Sequence, residues 1–164
     1  MSKKPDAKLK IERVHEQNFD EFFDLVLKLA EFEHLGPPDG KAKARMKKHA
    51  LQDHPYYEAY LGRISGRAVG YTIFFLSYSS FLGKPTLYLE DVFVLAEHRG
   101  KGYGRRFFDF LFREAKKRGC GRMEWCALNW NKSAIEFYEK LGACKQKEWT
   151  YFRLDEKKIE SLAK

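Results

Sequence analysis

Apolar and polar positions alternate along this chain with two distinct periods. Between Asn18 and Ala30 the residues Phe19, Phe22, Phe23, Val26, Leu27, Leu29 and Ala30 form one stripe at helical spacing, which predicts an amphipathic helix capped by Asn18. Gly36-Pro37-Pro38-Asp39-Gly40 ends it, and a more basic, weaker helix follows from about Lys41 to Leu51. Ahead of both, Leu9 to Val14 alternates as a short first strand. Tyr56 to Ile64 and Arg67 to Leu76, separated by Ser65-Gly66, predict a β-hairpin with a tight turn. Ser77 to Pro85 reads as a loop and Thr86 to Leu95 as a strand. Phe107, Phe108, Leu111, Phe112 and Ala115 then stripe a helix from about Tyr103 to Arg118, closed by Gly119. Arg122 to Leu128 reads as a strand. Asn131 opens a short helix bearing Ala134, Phe137, Tyr138 and Leu141, and Gly142 closes it. Cys144 to Leu154 reads as a last strand, followed by a short terminal helix.

The predicted order, β-α-α-β-β-β-α-β-α-β, describes a mixed α/β layer structure without internal repeats. Its strand–helix–strand unit from Thr86 to Leu128 should cross over right-handed and pair its strands in parallel. We expect one domain over residues 9–164, with Met1 to Lys8 as a loose lead-in.

Composition narrows the class. The chain has 164 residues, 44% hydrophobic and 33% charged, which suits a folded globular domain and argues against disorder. Its longest apolar runs, such as Tyr71 to Leu76, fall far short of a membrane span, and the polar start lacks the apolar stretch of a signal peptide. Three cysteines, Cys120, Cys126 and Cys144, form no CxxC pair, which points to a reducing, cytoplasmic setting. The five histidines show no HExxH spacing or other metal-ligand cluster, so no metal is expected.

Net charge is +8, so an anionic partner has to be considered. Nine basic residues lie between Arg99 and Arg122, opposed only by Asp109 and Glu114. So local a charge suits one anionic ligand at least as well as a nucleic-acid track. The aromatic residues of that stretch sit at core spacing rather than interleaved for base stacking, which makes a nucleic-acid partner the weaker reading. Within it, Arg99-Gly100-Lys101-Gly102-Tyr103-Gly104 joins a predicted strand to a predicted helix. Alternate glycines let the backbone turn sharply, and the helix start offers free N–H groups and a partial positive charge. Arg99, Lys101, Arg105 and Arg106 add full charges, so the segment reads as a phosphate cradle. A tight turn whose glycines serve geometry alone is the plainer alternative. The spacing G-x-G-x-G fits neither a dinucleotide fingerprint nor a Walker loop.

This loop resembles the R-x-x-G-x-G/A signature of the GNAT N-acetyltransferases, and the element order is similar to theirs over nearly the whole chain. Leu29-Ala-Glu-Phe-Glu33, Asp53-His-Pro-Tyr-Tyr57, Leu87-Tyr-Leu-Glu-Asp91 and Asn129-Trp-Asn131 with Phe137-Tyr138 further resemble the diamine branch, which holds the spermidine/spermine and thialysine N-acetyltransferases. The resemblance implies the GNAT fold, α/β with a mixed, mostly antiparallel sheet, one parallel strand pair and flanking helices. It also implies acetyl-CoA as cofactor, a small-molecule amine substrate and a homodimer. Backbone amides at Phe93 and Val94, the loop Arg99 to Gly104 with Arg105, and Asn131 and Tyr138 would then hold the cofactor.

Glu90 and Asp91 interrupt an apolar strand, so at least one carboxylate must face a covered surface and needs a partner, a ligand or a cavity. A buried ion pair to an arginine would satisfy that need. An amine substrate must lose a proton before attacking a thioester, and a nearby carboxylate can bind the ammonium and accept that proton. In the resembled branch the first acid of Leu-Glu-Asp touches the amine, which assigns binding and proton removal to Glu90, with Asp91 second. Glu31 and Glu33 could attract the same cation, and Phe81 and Tyr88 could flank its alkyl chain. Tyr138 lies on an apolar helical stripe, where a packed core tyrosine is the default. The resemblance makes it the general acid that protonates the leaving thiolate. Cys126 and Cys144 have no histidine nearby in sequence, so we expect direct transfer rather than an acyl-cysteine route. A polyamine, a diamine, a lysine-like amino acid and a protein lysine all remain open as acceptors, and a non-catalytic acetyl-CoA binder is the further alternative.

Overall fold

Strand pairing follows chain order. The computed structural model describes residues 8–163, so the expected lead-in lies, apart from Lys8, outside the described residues. These residues form two compact units, one reaching to Cys126 and one starting at Ala127. The first holds β1 (Lys10–Arg13), α1 (Phe19–Glu33), α2 (Gly40–Leu51), β2 (Glu58–Ile64), β3 (Arg67–Ser79), β4 (Lys84–Val94), α3 (Tyr103–Lys117) and β5 (Arg122–Glu124). The sheet order is β1-β2-β3-β4-β5. β1 to β4 are antiparallel neighbours, and β4 and β5 run parallel across the α3 crossover. The sheet is thus mixed and mostly antiparallel with one parallel pair, as expected.

Two residues turn the β2–β3 hairpin, Ser65 at φ 48° and Gly66 at φ 82°, a left-handed pair whose twist matches the flanking strands. The next hairpin is longer than the sequence suggested. Ser77 to Ser79, Lys84 and Pro85 are paired strand rather than loop, because the ladder continues out to Ser79 opposite Lys84.

One face of the sheet packs on α1: Phe19, Phe22, Phe23 and Leu25 bury against Leu61, Tyr71, Ile73 and Phe93. Each such side chain contributes roughly 1.5–3 kcal/mol of hydrophobic stabilisation. α2 lies over α1, with Lys43 and Lys47 pairing Asp20 and Glu16 and standing over the Phe23 and Phe19 rings. Asp39 caps α2 by accepting from the Ala42 amide at 2.7 Å. Asn18, in contrast, makes no side-chain bond into α1. Its Oδ1 accepts from the His15 amide and its Nδ2 donates to the Arg13 carbonyl, so it fastens the turn before the helix instead.

The other face packs on α3. Phe107 rests where Gly62 and Gly70 stand paired across β2 and β3. A Cβ at Gly62 would lie 2.5 Å from the Phe107 ring, and one at Gly70 would lie 2.3 Å from the Phe93 carbonyl oxygen. Close approach of α3 to the sheet therefore requires both glycines. β5 is shorter than the predicted Arg122–Leu128, with its pairing ending at Glu124.

The second unit holds α4 (Lys132–Lys140) and α5 (Glu156–Leu162). Asp155 caps α5 through the Lys158 amide at 2.8 Å, and Gly142 follows α4 at φ +91°. The strand expected over Cys144–Leu154 is not formed among the described residues. A strand needs a neighbour for its backbone groups, and this unit contains no other strand to supply one. Trp149, Tyr151 and Phe152 are accordingly exposed.

Candidate active site

β4 carries one residue more than β3 across the middle of the sheet. Ile73 pairs with Asp91 and Phe74 with Leu89, so Glu90 is the extra residue of a β-bulge. The bulge shifts the alternation of β4. Asp91 therefore takes the α1-facing side that it shares with Phe93, while Glu90 is exposed. Fully buried Thr72 fixes the bulge by donating its hydroxyl to the Asp91 carbonyl at 2.8 Å.

The Asp91 carboxylate accepts one hydrogen bond, from the Tyr71 hydroxyl to Oδ2 at 3.2 Å. Burial pushes the Asp91 pKa up to about 7, and the negative charges of Glu90 and Glu33 push the same way against the Tyr71 bond. Burial and the Asp91 charge hold the Tyr71 phenol well above its ordinary value, so it remains a donor throughout the physiological range. Glu33, the last residue of α1, is half-buried and also raised by burial. The arrangement is a carboxylate that titrates near neutrality, held by a permanent donor, in a field made negative by two more acids. It can hold an ammonium ion and take its proton.

Of the acids and aromatics expected around an amine, the structure brings together Glu33, Glu90 and Asp91. Glu31 is elsewhere: two helical positions separate it from Glu33 by more than half a turn, and it pairs with Lys28 at 3.3 Å. Phe81 is 99% exposed at the tip of the β3–β4 hairpin. Five residue steps separate Lys84 from Leu89, so Phe81 stands about 17 Å or more from the carboxylates at ~3.3 Å per residue. Tyr88 is half-buried, with its hydroxyl 3.6 Å from Cys126 Sγ. Tyr71 was not foreseen. It lies inside an apolar run, and nothing in its sequence neighbourhood separates it from an ordinary core aromatic.

Beyond Tyr88, β4 has no partner on its β5 edge among the described residues, since pairing with β5 is confined to Thr86–Tyr88. On that edge the Val94 carbonyl already accepts from Arg99, and the Phe93 carbonyl lies against Gly70 of β3. A single 3-10 turn, Ala96–His98, then leads into the glycine loop. Gly100 at φ 73° and Gly102 at φ 80° are left-handed, and at both positions the space a Cβ would occupy is open. Gly102 caps α3 without a side chain, so the amides of Tyr103, Gly104 and Arg105 start the helix with no acceptor inside it. The loop is an open cradle of N–H groups that fits a pyrophosphate. Its cations are partly committed: Lys101 Nζ donates to the Glu97 carbonyl at 2.9 Å and Arg105 pairs with Asp109 at 2.8 Å. Arg99 Nε donates to the Val94 carbonyl at 2.8 Å.

In the second unit, Tyr138 lies half-buried on α4, its ring 5.7 Å from that of Phe137. Asn131 caps the same helix, its Oδ1 accepting from the Ala134 amide at 3.3 Å and the Ser133 hydroxyl at 3.2 Å.

Comparison with known proteins gives the family. Residues 14–143 match the model of the acetyltransferase (GNAT) family. The L-ornithine N5-acetyltransferase of Arabidopsis thaliana is 40% identical over 95 residues, which span 58% of this chain and 42% of that protein. The thialysine N-epsilon-acetyltransferase of Mus musculus is 26% identical over 96% of this chain and 98% of its own length. Among solved structures, an integron cassette protein from V. cholerae superposes with a TM-score of 0.82 at 22% identity, covering 95% of this chain and 98% of its own. An aminoglycoside N-acetyltransferase in complex with CoA superposes at 0.74 and 19% identity, covering 90% and 95% respectively. These two likenesses show the shared fold. With the matched family model spanning most of its length, the chain belongs to the acetyltransferase (GNAT) family and is an N-acetyltransferase.

Proposed function

We propose that this enzyme moves the acetyl group of acetyl-CoA directly to the primary amine of a small cationic substrate, a diamine, polyamine or lysine-like amino acid, with Asp91 accepting the amine proton. The observation that carries this reading is the Asp91 carboxylate, turned inward by the bulge, donated to by Tyr71 and facing the same negative field as Glu33 and Glu90. The names of the ornithine and thialysine relatives support a side-chain amine as the acceptor.

Acetyl-CoA supplies the activated acyl group as a thioester. The amides of Tyr103, Gly104 and Arg105 and the left-handed glycines of the loop hold its pyrophosphate. The main chain of β4 at Phe93 and Val94 orients its arm and stabilises negative charge as it develops on the acyl oxygen. Glu33 and Glu90 draw in the ammonium, and Asp91 removes one proton to leave a neutral nucleophile. Tyr138 donates a proton to the departing thiolate, and Asn131 lines the cofactor while capping α4. A homodimer in the cytoplasm completes the reading, supported by the resemblance to the diamine branch and by the unpaired cysteines. No helix among the described residues is long and apolar enough to cross a membrane.

The test is thiol release from acetyl-CoA with a panel of ornithine, thialysine, lysine, putrescine, spermidine and a basic protein. Turnover on a small amine and not on the protein is expected. Turnover confined to the protein, or none despite tight acetyl-CoA binding, overturns the substrate class or the catalysis respectively.

A further inference from the structure

Arg99 opens the phosphate loop by motif, yet its side chain turns back from it. While Nε donates to the Val94 carbonyl, the guanidinium carbon lies 4.2 Å from the Phe32 ring centroid and 5.5 Å from that of Phe93. Phe32 directly precedes Glu33 at the end of α1. The Phe32 and Phe93 rings are 6.5 Å apart, and Phe93 lies 6.0 Å from Tyr71, the donor to Asp91. One cation thus touches the last turn of α1 and strand β4, and by its own backbone it begins the glycine loop. A guanidinium can do this because its edge donates while its flat face lies on a ring; an ammonium offers no such face.

The end of α1 gains from an outside anchor. Its last turn contains no basic residue, while Glu31 and Glu33 place negative charge at the negative end of the helix dipole. Its cap is His34 at φ 57°, a left-handed conformation unfavourable for any residue with a Cβ. Two backbone bonds close the turn, from the Leu35 amide to the Ala30 carbonyl at 3.0 Å and from the His34 amide to the Glu31 carbonyl at 3.2 Å, at the cost of that conformation, and it is the turn that carries Glu33.

We propose that Arg99 is a positioning residue that clamps the end of α1, through Phe32, onto β4, so that Glu33 is held beside the Tyr71–Asp91 pair and the amine seat is coupled to the cofactor loop. The proposal rests on the reading of Glu33 and Asp91 as the amine seat. It assigns Arg99 a role that its place in a phosphate-loop motif does not.

The test compares wild type with Arg99→Ala, Arg99→Lys and Phe32→Leu, measuring backbone amide exchange at residues 31–35, the amine KM and the affinity for coenzyme A by calorimetry. Arg99→Ala is expected to speed exchange at Phe32 to Leu35 about tenfold and to raise the amine KM by a similar factor. Arg99→Lys should restore neither. Phe32→Leu keeps an apolar side chain and leaves the loop untouched; it should reproduce both effects with coenzyme A affinity within about twofold of wild type. Unchanged exchange and unchanged amine KM in the Arg99 variants, with only coenzyme A affinity lost, overturns the clamp. So does a Phe32→Leu enzyme with wild-type exchange. If the wild type acetylates no amine, the proposed function falls, and the exchange at residues 31–35 still decides the clamp.

Discussion

Tyr71 on β3 and Asp91 on β4 meet diagonally across the strand pair, phenol to carboxylate at 3.2 Å, on the face of the sheet that α1 covers. They meet because one extra residue, Glu90, is accommodated as a bulge. Burial and neighbouring acids raise the Asp91 pKa to about 7, and the Tyr71 bond alone opposes them. The reactive form is the carboxylate, so kcat/KM for the amine should rise with pH through an acid limb near 7. Tyr71→Phe removes the opposing bond and should move that limb upward by up to about one unit while leaving the plateau within about threefold. A limb that stays in place would remove Tyr71 from the site.

The same carboxylate lowers stability. Its folded-state pKa, about 7, lies above the ordinary 3.8, so between these values the folded state binds a proton that the unfolded state has released. Stability therefore falls as pH rises from about 4 to 7, and the cost is fully present above 7. Asp91→Asn keeps an oxygen that can accept from Tyr71 and has no charge to bury. It should melt several degrees higher than wild type at pH 8, with the gap closing towards pH 4, while turnover drops roughly 10²–10⁴-fold. Parallel melting curves across that range would show that the carboxylate is solvated.

Much of this arrangement is legible in the sequence, and the limits have physical reasons. Helical stripes placed the start of α1 and both ends of α3 within a residue, and the glycines at 66, 119 and 142 marked real left-handed turns. The interruption of an apolar strand by two acids exposed the site. Which acid turns inward was not legible, because a bulge at Glu90 is a property of the pairing with β3 and leaves no mark in β4 alone. Tyr71 stayed hidden for the same reason. Glu31 and Glu33 looked equivalent until α1 set them on different sides. The strand expected over Cys144–Leu154 failed because alternation shows which face is apolar and says nothing of whether a neighbour is there to pair.

Two glycines separate structural from functional demands. Gly70→Ala drives a Cβ to 2.3 Å from the Phe93 carbonyl, so backbone must move. A loss of about 2 kcal/mol or more is expected, read as a large fall in melting temperature. Gly102→Ala meets no neighbour but must hold φ at 80° at the start of α3. It should cost about 1–2 kcal/mol in stability and, by crowding the pyrophosphate, raise the acetyl-CoA KM about tenfold with the amine KM unchanged. Equal KM effects on both substrates would mean that the loop is not the cofactor's seat.

Tyr138→Phe tests the acid. The substitution removes one oxygen and keeps the ring, and Tyr138 is only half-buried on α4, so a packing role predicts little. The melting temperature would shift slightly and turnover would drop less than tenfold. A proton donor predicts the opposite distribution. A phenol is in general a slightly weaker acid than a thiol, so its help is realised only as the thiolate departs. The loss should then fall on kcat, by about 10²–10³-fold, with both KM values and the melting temperature near those of wild type. Because the donor is not needed when the leaving group is already a stable anion, the defect should shrink for acyl donors with more acidic thiols. A defect of constant size across such donors would leave Tyr138 as a wall of the site and require another acid.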